Sequence, residues 1–474
     1  MNKNSSFRVS FTLITILFFM WGFITCMNDI LIPYMKKIFE LSYAQAMLVQ
    51  FAFFGAYFIG SFIYFIISSF AGDPIQKIGY KSGIVIGLLI SAIACTLFYP
   101  AAHFQKYGFF LVALFILGLG FTMLQIAANP YVAILGPPQT ASGRLNLSQG
   151  FNSFGTTIAP IIGGYLIFHF FAGRGTPLLN KAGEQILTDN GLTMSAAGVQ
   201  TPYLVFAAIF LFLAIIFIFA HLPSLQTHDS LEKGAGALKY SQLSLGALAI
   251  FFYVGSEVSV GSTIINYLKE ILSYTEMEAK TYLAFYWGGA MIGRFIGAIS
   301  LGALISKMRK YIYMVIIALV GFVVIYGTTY LESGISLSMV TPFLVLIAIN
   351  LIGFIIGKSM PARTLLVFSL FVIVLLITTV FANGVISLWA VVGIGLFNSI
   401  MWSNIFTLAI AGLGKHTSQG SSILVMAILG GAILPLLMGF VADAAGIQSS
   451  FLILIIPYLY LAFYGWKGYI PKRV

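Results

Sequence analysis

Polar residues are scarce along this chain, and their positions divide it into segments. Apolar runs of about 17–25 residues, long enough to cross a bilayer, recur from one end to the other. Reading those runs against the charged stretches predicts membrane helices near 8–35, 44–72, 82–102, 107–135, 146–172 and 202–222. A polar stretch, Pro223 to Gln242, follows. Further spans are predicted near 243–272, 279–306, 311–331, 341–357, 364–381, 385–412, 419–442 and 450–470. The expected fold class is therefore an all-α polytopic membrane protein of about 14 transmembrane helices. The first run, with Lys3 and Arg8 before it, has the outline of a signal peptide. No small-x-small cleavage site follows, only Asn28-Asp29-Ile30, so a retained first helix is expected.

The two halves of the pattern are related. Phe18, Phe19, Gly22, Tyr34, Lys36 and Ile38 match Phe251, Phe252, Gly255, Tyr267, Lys269 and Ile271 at a constant offset of 233. Asn129, Gly155, Pro160 and Gly164 match Asn404, Gly430, Pro435 and Gly439 at an offset of 275. Two six-helix halves repeated in parallel about an axis along the membrane normal resemble the major facilitator architecture. Phe58-Ile59-Gly60 against Phe295-Ile296-Gly297 keeps an offset of 237, so most of the growth falls after the eighth span. Two crossings of about 20 residues each account for it. The organisation expected is an amino-terminal half over 1–222, a cytoplasmic linker over 223–242, and a carboxy-terminal half over 243–474. The last carries an inserted helical hairpin at about 308–360, with a single re-entrant or interfacial segment as the alternative.

Composition adds little to that outline until the charges are placed. The chain is 60% hydrophobic and only 8% charged, against about 25% for soluble domains. Its net charge of +11 would suit nucleic acid were the cations on one face. Instead Lys77, Lys81, Arg144, Lys233, Lys239, Lys307, Arg309, Lys310, Lys358, Arg363 and Lys415 fall in alternate loops, the positive-inside pattern, with both termini cytoplasmic. No nucleic-acid partner is expected. Cys26 and Cys95 show no CxxC spacing, and the five His form no metal-binding pair, so neither a metal nor a cofactor is expected. Gly353 through Ser359 imitates a phosphate loop with three intervening residues where four are needed, which disfavours ATP-driven transport.

Against this background single polar residues gain weight. Asp29 lies inside the first apolar run and Glu257 inside the seventh. A carboxylate at bilayer depth costs roughly 2.5–3.5 kcal/mol on insertion scales, so such groups mark proton or substrate sites by default. Asp29 and Glu257 are the proton-coupling candidates, the bland reading of Glu257 being a neutral acid bonded between helices. Gln125 and Asn129 stand at i, i+4, and Gln149 and Asn152 at i, i+3, each pair on one helix face. Neutral amides donate and accept, which suits an uncharged polyhydroxylated ligand, and interhelical bonding is the alternative. Asn398 and Asn404 repeat the endowment more sparsely, with Trp287, Trp389 and Trp402 as faces for a sugar ring. Gly289, Gly293 and Gly297 form a close-packing face beside Arg294, which is read as structural or ion-paired. The stretch Gly72-Asp73 through Lys81 is a degenerate form of the cytoplasmic charged motif of major facilitators.

Longer motifs narrow the resemblance. Trp21 through Asn28-Asp29-Ile30-Leu31-Ile32-Pro33, Gln125 through Asn129-Pro130-Tyr131, Arg144 through Gly155, and Gly439 through Gly446 resemble the fucose permease family of sugar:proton symporters. In those permeases a Glu stands at the position of Gln125, a Gln at that of Glu257 and an Asn at that of Cys26. Gln125 together with Tyr253 through Ser259 is similar to the glucose/galactose branch. The resemblance implies a bacterial inner-membrane importer of a neutral monosaccharide, glucose or galactose first, coupled to protons and working by alternating access as a monomer. It implies Asp29 as the main protonation site and Asn28, Gln125, Asn129, Gln149 and Asn152 as amino-half sugar contacts. L-fucose, an N-acetylhexosamine, sodium coupling, a lipid or drug exporter, and a membrane enzyme on lipid-linked sugar are the alternatives. No enzyme is expected, because the acids are single rather than clustered.

Overall fold

The computed structural model describes residues 3–41, 43–166, 170–171, 174, 176–180, 183–187, 191, 193–223, 233–302 and 306–471. Helices dominate: α1 (Lys3–Phe39), α2 (Tyr43–Ala71), α3 (Pro74–Phe104), α4 (Tyr107–Ile134), α5 (Ala141–Tyr165) and α6 (Ala197–Phe219) come first. After the polar stretch follow α7 (Ser241–Leu272), α8 (Glu276–Ser300), α9 (Lys307–Ser333), α10 (Leu337–Gly357) and α11 (Pro361–Phe381). The last three spans are interrupted, giving α12 (Gly384–Asn398), α13 (Met401–Ala409), α14 (Thr417–Met426), α15 (Gly430–Ala445), α16 (Ile447–Ser450) and α17 (Ile455–Phe463). Among the described residues, twelve helical stretches are long and apolar enough to cross a membrane. The 25-residue α5 and α8 are as long but more polar, so with them the long stretches number fourteen. Lipid cannot hydrogen-bond a bare backbone, and helices answer that by pairing it within each segment.

Two compact units divide the chain. Met1–Tyr131 and Phe154–Gly234 form one; Val132–Ser153 and Ala235–Val474 form the other. One boundary falls after Gly234, and the start of α5 groups with the second unit.

In the first unit α3 packs along α6, and rings of Trp21, Phe53, Tyr57, Phe121 and Phe210 meet edge to face in the core. The charged stretch after α2 is a set of helix caps. Asp73 accepts from Ile75 N at 3.0 Å, capping α3, and from the Tyr64 hydroxyl at 2.6 Å. Lys81 Nζ donates to the Ile218 and Ala220 carbonyls at 2.8 and 2.9 Å, closing the end of α6. The α5–α6 connection, on which the helix pattern is silent, makes isolated β-bridges such as Pro177 with Ser195 and buries Leu178, Ile186 and Met194.

The second unit is built on glycine contacts. A Cβ added to Gly293 would lie 2.1 Å from Ser399 Oγ, and one on Gly297 2.6 Å from Ile400 Cγ2. With Gly289 against Leu396, these residues let α8 lie directly on α12 and its interruption. The outer face of α8 takes α9, Gly288 meeting Ile325 and Gly321 meeting Ile292. The other side of α9 exposes Ile312, Val315, Ile316, Leu319, Val320 and Val323, a lipid-facing surface. Three residues, Gly334 at φ 66° the first, separate it from α10.

Each unit also carries the same close approach at repeat-related positions. A Cβ on Gly155 would fall 2.4 Å from the Phe19 carbonyl oxygen, and one on Gly430 2.0 Å from that of Phe251. Only glycine fits at either place, so α5 meets α1 as α15 meets α7.

Candidate functional site

The start of α5 carries the polar residues that make it a poor hydropathy signal. It begins at Ala141, not 146, because Arg144 and Asn146 face protein. Arg144 donates from Nε to Val132 O at 3.0 Å and from its terminal nitrogens to Ala133 O at 2.6 Å, Pro137 O at 3.0 Å and Thr140 Oγ1 at 2.5 Å. Two of those carbonyls end α4, where intrahelical partners run out. Asn146 donates to Asn404 Oδ1 at 3.3 Å, and Asn404 donates to Pro361 O at 3.1 Å. Gln149 is buried and Asn152 half-buried on the same stretch.

Next on that helix is Ser153, whose hydroxyl accepts a short hydrogen bond from Arg294 of α8. Arg294 also donates from Nε to the Ser399 carbonyl at 3.2 Å, in the break between α12 and α13. Its remaining nitrogen lies 3.5 Å from Glu257 Oε1 on α7. Both charged side chains are only 12–13% exposed, so the pair is nearly enclosed. The separation exceeds the ~2.7–2.9 Å of a charge-assisted hydrogen bond. Among the described residues Glu257 Oε1 has no hydrogen-bond donor of good geometry. Tyr253, one turn earlier on α7, places its hydroxyl beside both charges.

A chain of hydroxyls and an amide continues from Glu257. Its backbone carbonyl accepts from the Tyr286 hydroxyl at 2.9 Å. Asn398 donates to Tyr286 at 3.4 Å and accepts from the Tyr458 hydroxyl at 2.8 Å. Trp287 presents a ring 39% exposed, edge-on to Tyr286 at 5.0 Å. Trp389, by contrast, is enclosed by Tyr282, Phe285 and Phe343, and Trp402 is buried against Phe406. The structure therefore gathers Glu257, Arg294, Asn398 and Trp287. Tyr253, Tyr286, Tyr458, Ser153 and Ser399 join them, residues the pattern does not single out. Tyr253 is the one with a signal, standing at i, i+4 to Glu257.

In the first unit Gln125 and Asn129 are buried side by side on α4. Asn129 Nδ2 donates to the Gln125 carbonyl at 3.2 Å and to its side-chain oxygen at 3.4 Å. Tyr57 shares hydrogen bonds with the Trp21 and Gln125 side chains. Asn28 and Asp29 lie on α1, but their side chains are outside the described residues. Among the described residues no three His, Cys, Asp or Glu converge as a metal site would require.

Helices of this length and apolarity, enclosing a buried ion pair, are those of a multi-pass membrane protein, and comparison with known proteins gives its class and family. The Major Facilitator Superfamily profile matches residues 11–362, and the chain belongs to that superfamily as a multi-pass membrane transporter. The glucose/galactose transporter of Brucella abortus biovar 1 is 45% identical over 472 residues, 98% of this chain and 95% of that protein. The L-fucose-proton symporter of Escherichia coli K12 is 33% identical over 455 residues, 94% of this chain and 89% of that one. The crystal structure of the transporter FucP in the outward conformation superimposes with a TM-score of 0.73 at 30% identity. It covers 99% of this chain and all of that one.

Proposed function

We propose that this chain is a bacterial inner-membrane symporter that imports glucose or galactose with protons. The observation that carries the reading is the full-length, 45% identity to a glucose/galactose transporter. The likeness to an L-fucose-proton symporter supports the proton as the coupling ion. Glu257 fits a coupling role because its nearly enclosed carboxylate meets Arg294 only loosely, at 3.5 Å. Asp29 is the second coupling group, and the amides of Asn28, Gln125, Asn129, Gln149, Asn152 and Asn398 with the Trp287 face are the sugar contacts. The positive-inside bias supports cytoplasmic termini.

Proteoliposomes containing the purified chain test this directly. An imposed inward proton gradient should drive accumulation of labelled glucose, inhibited by excess galactose and much less by L-fucose or N-acetylglucosamine. Replacing sodium by potassium should change nothing, and an Asp29→Asn variant should lose accumulation while retaining sugar exchange. Uptake that follows a sodium gradient, or competition led by fucose, would overturn the assignment.

A further inference from the structure

The carbonyl of Leu396 collects two side-chain donors. Ser399 Oγ donates to it at 2.6 Å from the break after α12. Asn350 Nδ2 of α10 donates at 3.1 Å from outside. Leu396 lies within the last turn of α12, where carbonyls lose their intrahelical partners. The residues just beyond it are Asn398, held by Tyr286 and Tyr458, and Ser399, whose carbonyl is held by Arg294. Asn350 is fully buried on a helix whose other buried residues are apolar, and its side-chain oxygen has no partner among the described residues. A leucine would fill that position without burying an amide. Among the described residues, the one hydrogen bond of the side chain is to Leu396.

We infer that Asn350 is a positioning residue for the sugar site, acting from the α9–α10 hairpin through the interruption between α12 and α13. Its amide holds the end of α12 in place. That end fixes the side chain of Asn398 and the carbonyl against which Arg294 is aligned toward Glu257. The hairpin is thereby part of the machinery that shapes the site, although its outer face is turned to lipid. This inference rests on the transport reading given above.

The test compares Asn350→Leu and Asn350→Gln with wild type in proteoliposomes, for whichever sugar the wild type takes up. Asn350→Leu removes the donor while keeping the same branched arrangement of heavy atoms; Asn350→Gln keeps a donor on a longer arm. Asn350→Leu should raise KM at least fivefold with a melting temperature close to wild type. Asn350→Gln should show a clearly smaller rise. A KM within twofold of wild type in Asn350→Leu would overturn the inference, as would equal increases in both variants. Loss of melting temperature without a change of KM would also overturn it, leaving only packing. Should Asn350→Leu fail to reach the membrane, Asn350→Thr, with a shorter donor, is judged by the same KM criterion. A wild type that transports no sugar would instead defeat the underlying reading.

Discussion

The ion pair of Glu257 and Arg294 holds two opposite charges that are almost wholly enclosed. Removing one partner of a fully buried pair costs about 3–5 kcal/mol, since the other charge is left alone. With each side chain slightly exposed, the cost here should be somewhat less. Glu257→Gln and Arg294→Gln should each lower the melting temperature of the purified protein, and the double variant should lose less than the two losses combined. Additive losses would mean that the charges do not interact. Glu257→Gln should also abolish proton-driven accumulation. Glycine gives a sharper structural prediction. Gly155→Ala and Gly430→Ala each press a methyl into a backbone carbonyl and should greatly reduce the folded yield, measured by gel filtration of detergent extracts. Gly439→Ala, with nothing within 4 Å of its added Cβ, should be silent. Glu257 and Arg294 are legible in the sequence because charge stands out in an apolar run. Their pairing is not legible, because it depends on two helices lying side by side.

Helices were the easiest objects to read, since lipid demands that each span be apolar and internally bonded. Where the reading drifted, as at the start of α5, the cause is a helix with protein rather than lipid against its face. Breaks such as Ser399–Ile400 are invisible to hydropathy, because both flanks are apolar. The α9–α10 hairpin is legible through the jump in repeat offset and its positive flanks. Single cysteines at Ser333 and Ser359 in a cysteine-free background test its topology. A membrane-impermeant thiol reagent applied to intact cells should label position 333 and leave 359 unlabelled. Labelling of neither would favour a re-entrant segment, and labelling of 359 alone would invert the orientation.

For the molecule as a whole, the repeat supplies more than symmetry. The close approaches at Gly155 and Gly430 are made inside separate compact units, so each unit has its own closing contact. Polar side chains are less evenly distributed between the units. The first unit holds a neutral amide pair beside Tyr57, whereas the second holds Glu257, Arg294 and the hydroxyl chain. The charged part of the second unit's cluster could be anticipated from the sequence. The tyrosines that complete it could not, because in a chain with 24 of them a tyrosine reads first as bulk.

The doubly held carbonyl of Leu396 bears on ancestry. On the reading of α9–α10 as an insert, a forebear with an unadorned repeat had no Asn350 to offer. Its Leu396 carbonyl would have relied on the hydroxyl three residues downstream, a bond that still exists. On that reading the Ser399 bond is the part of the joint that needs no hairpin, and the Asn350 bond is what the hairpin adds. Only a pair of crossings could have been inherited at that point, because a single one would have inverted every later helix.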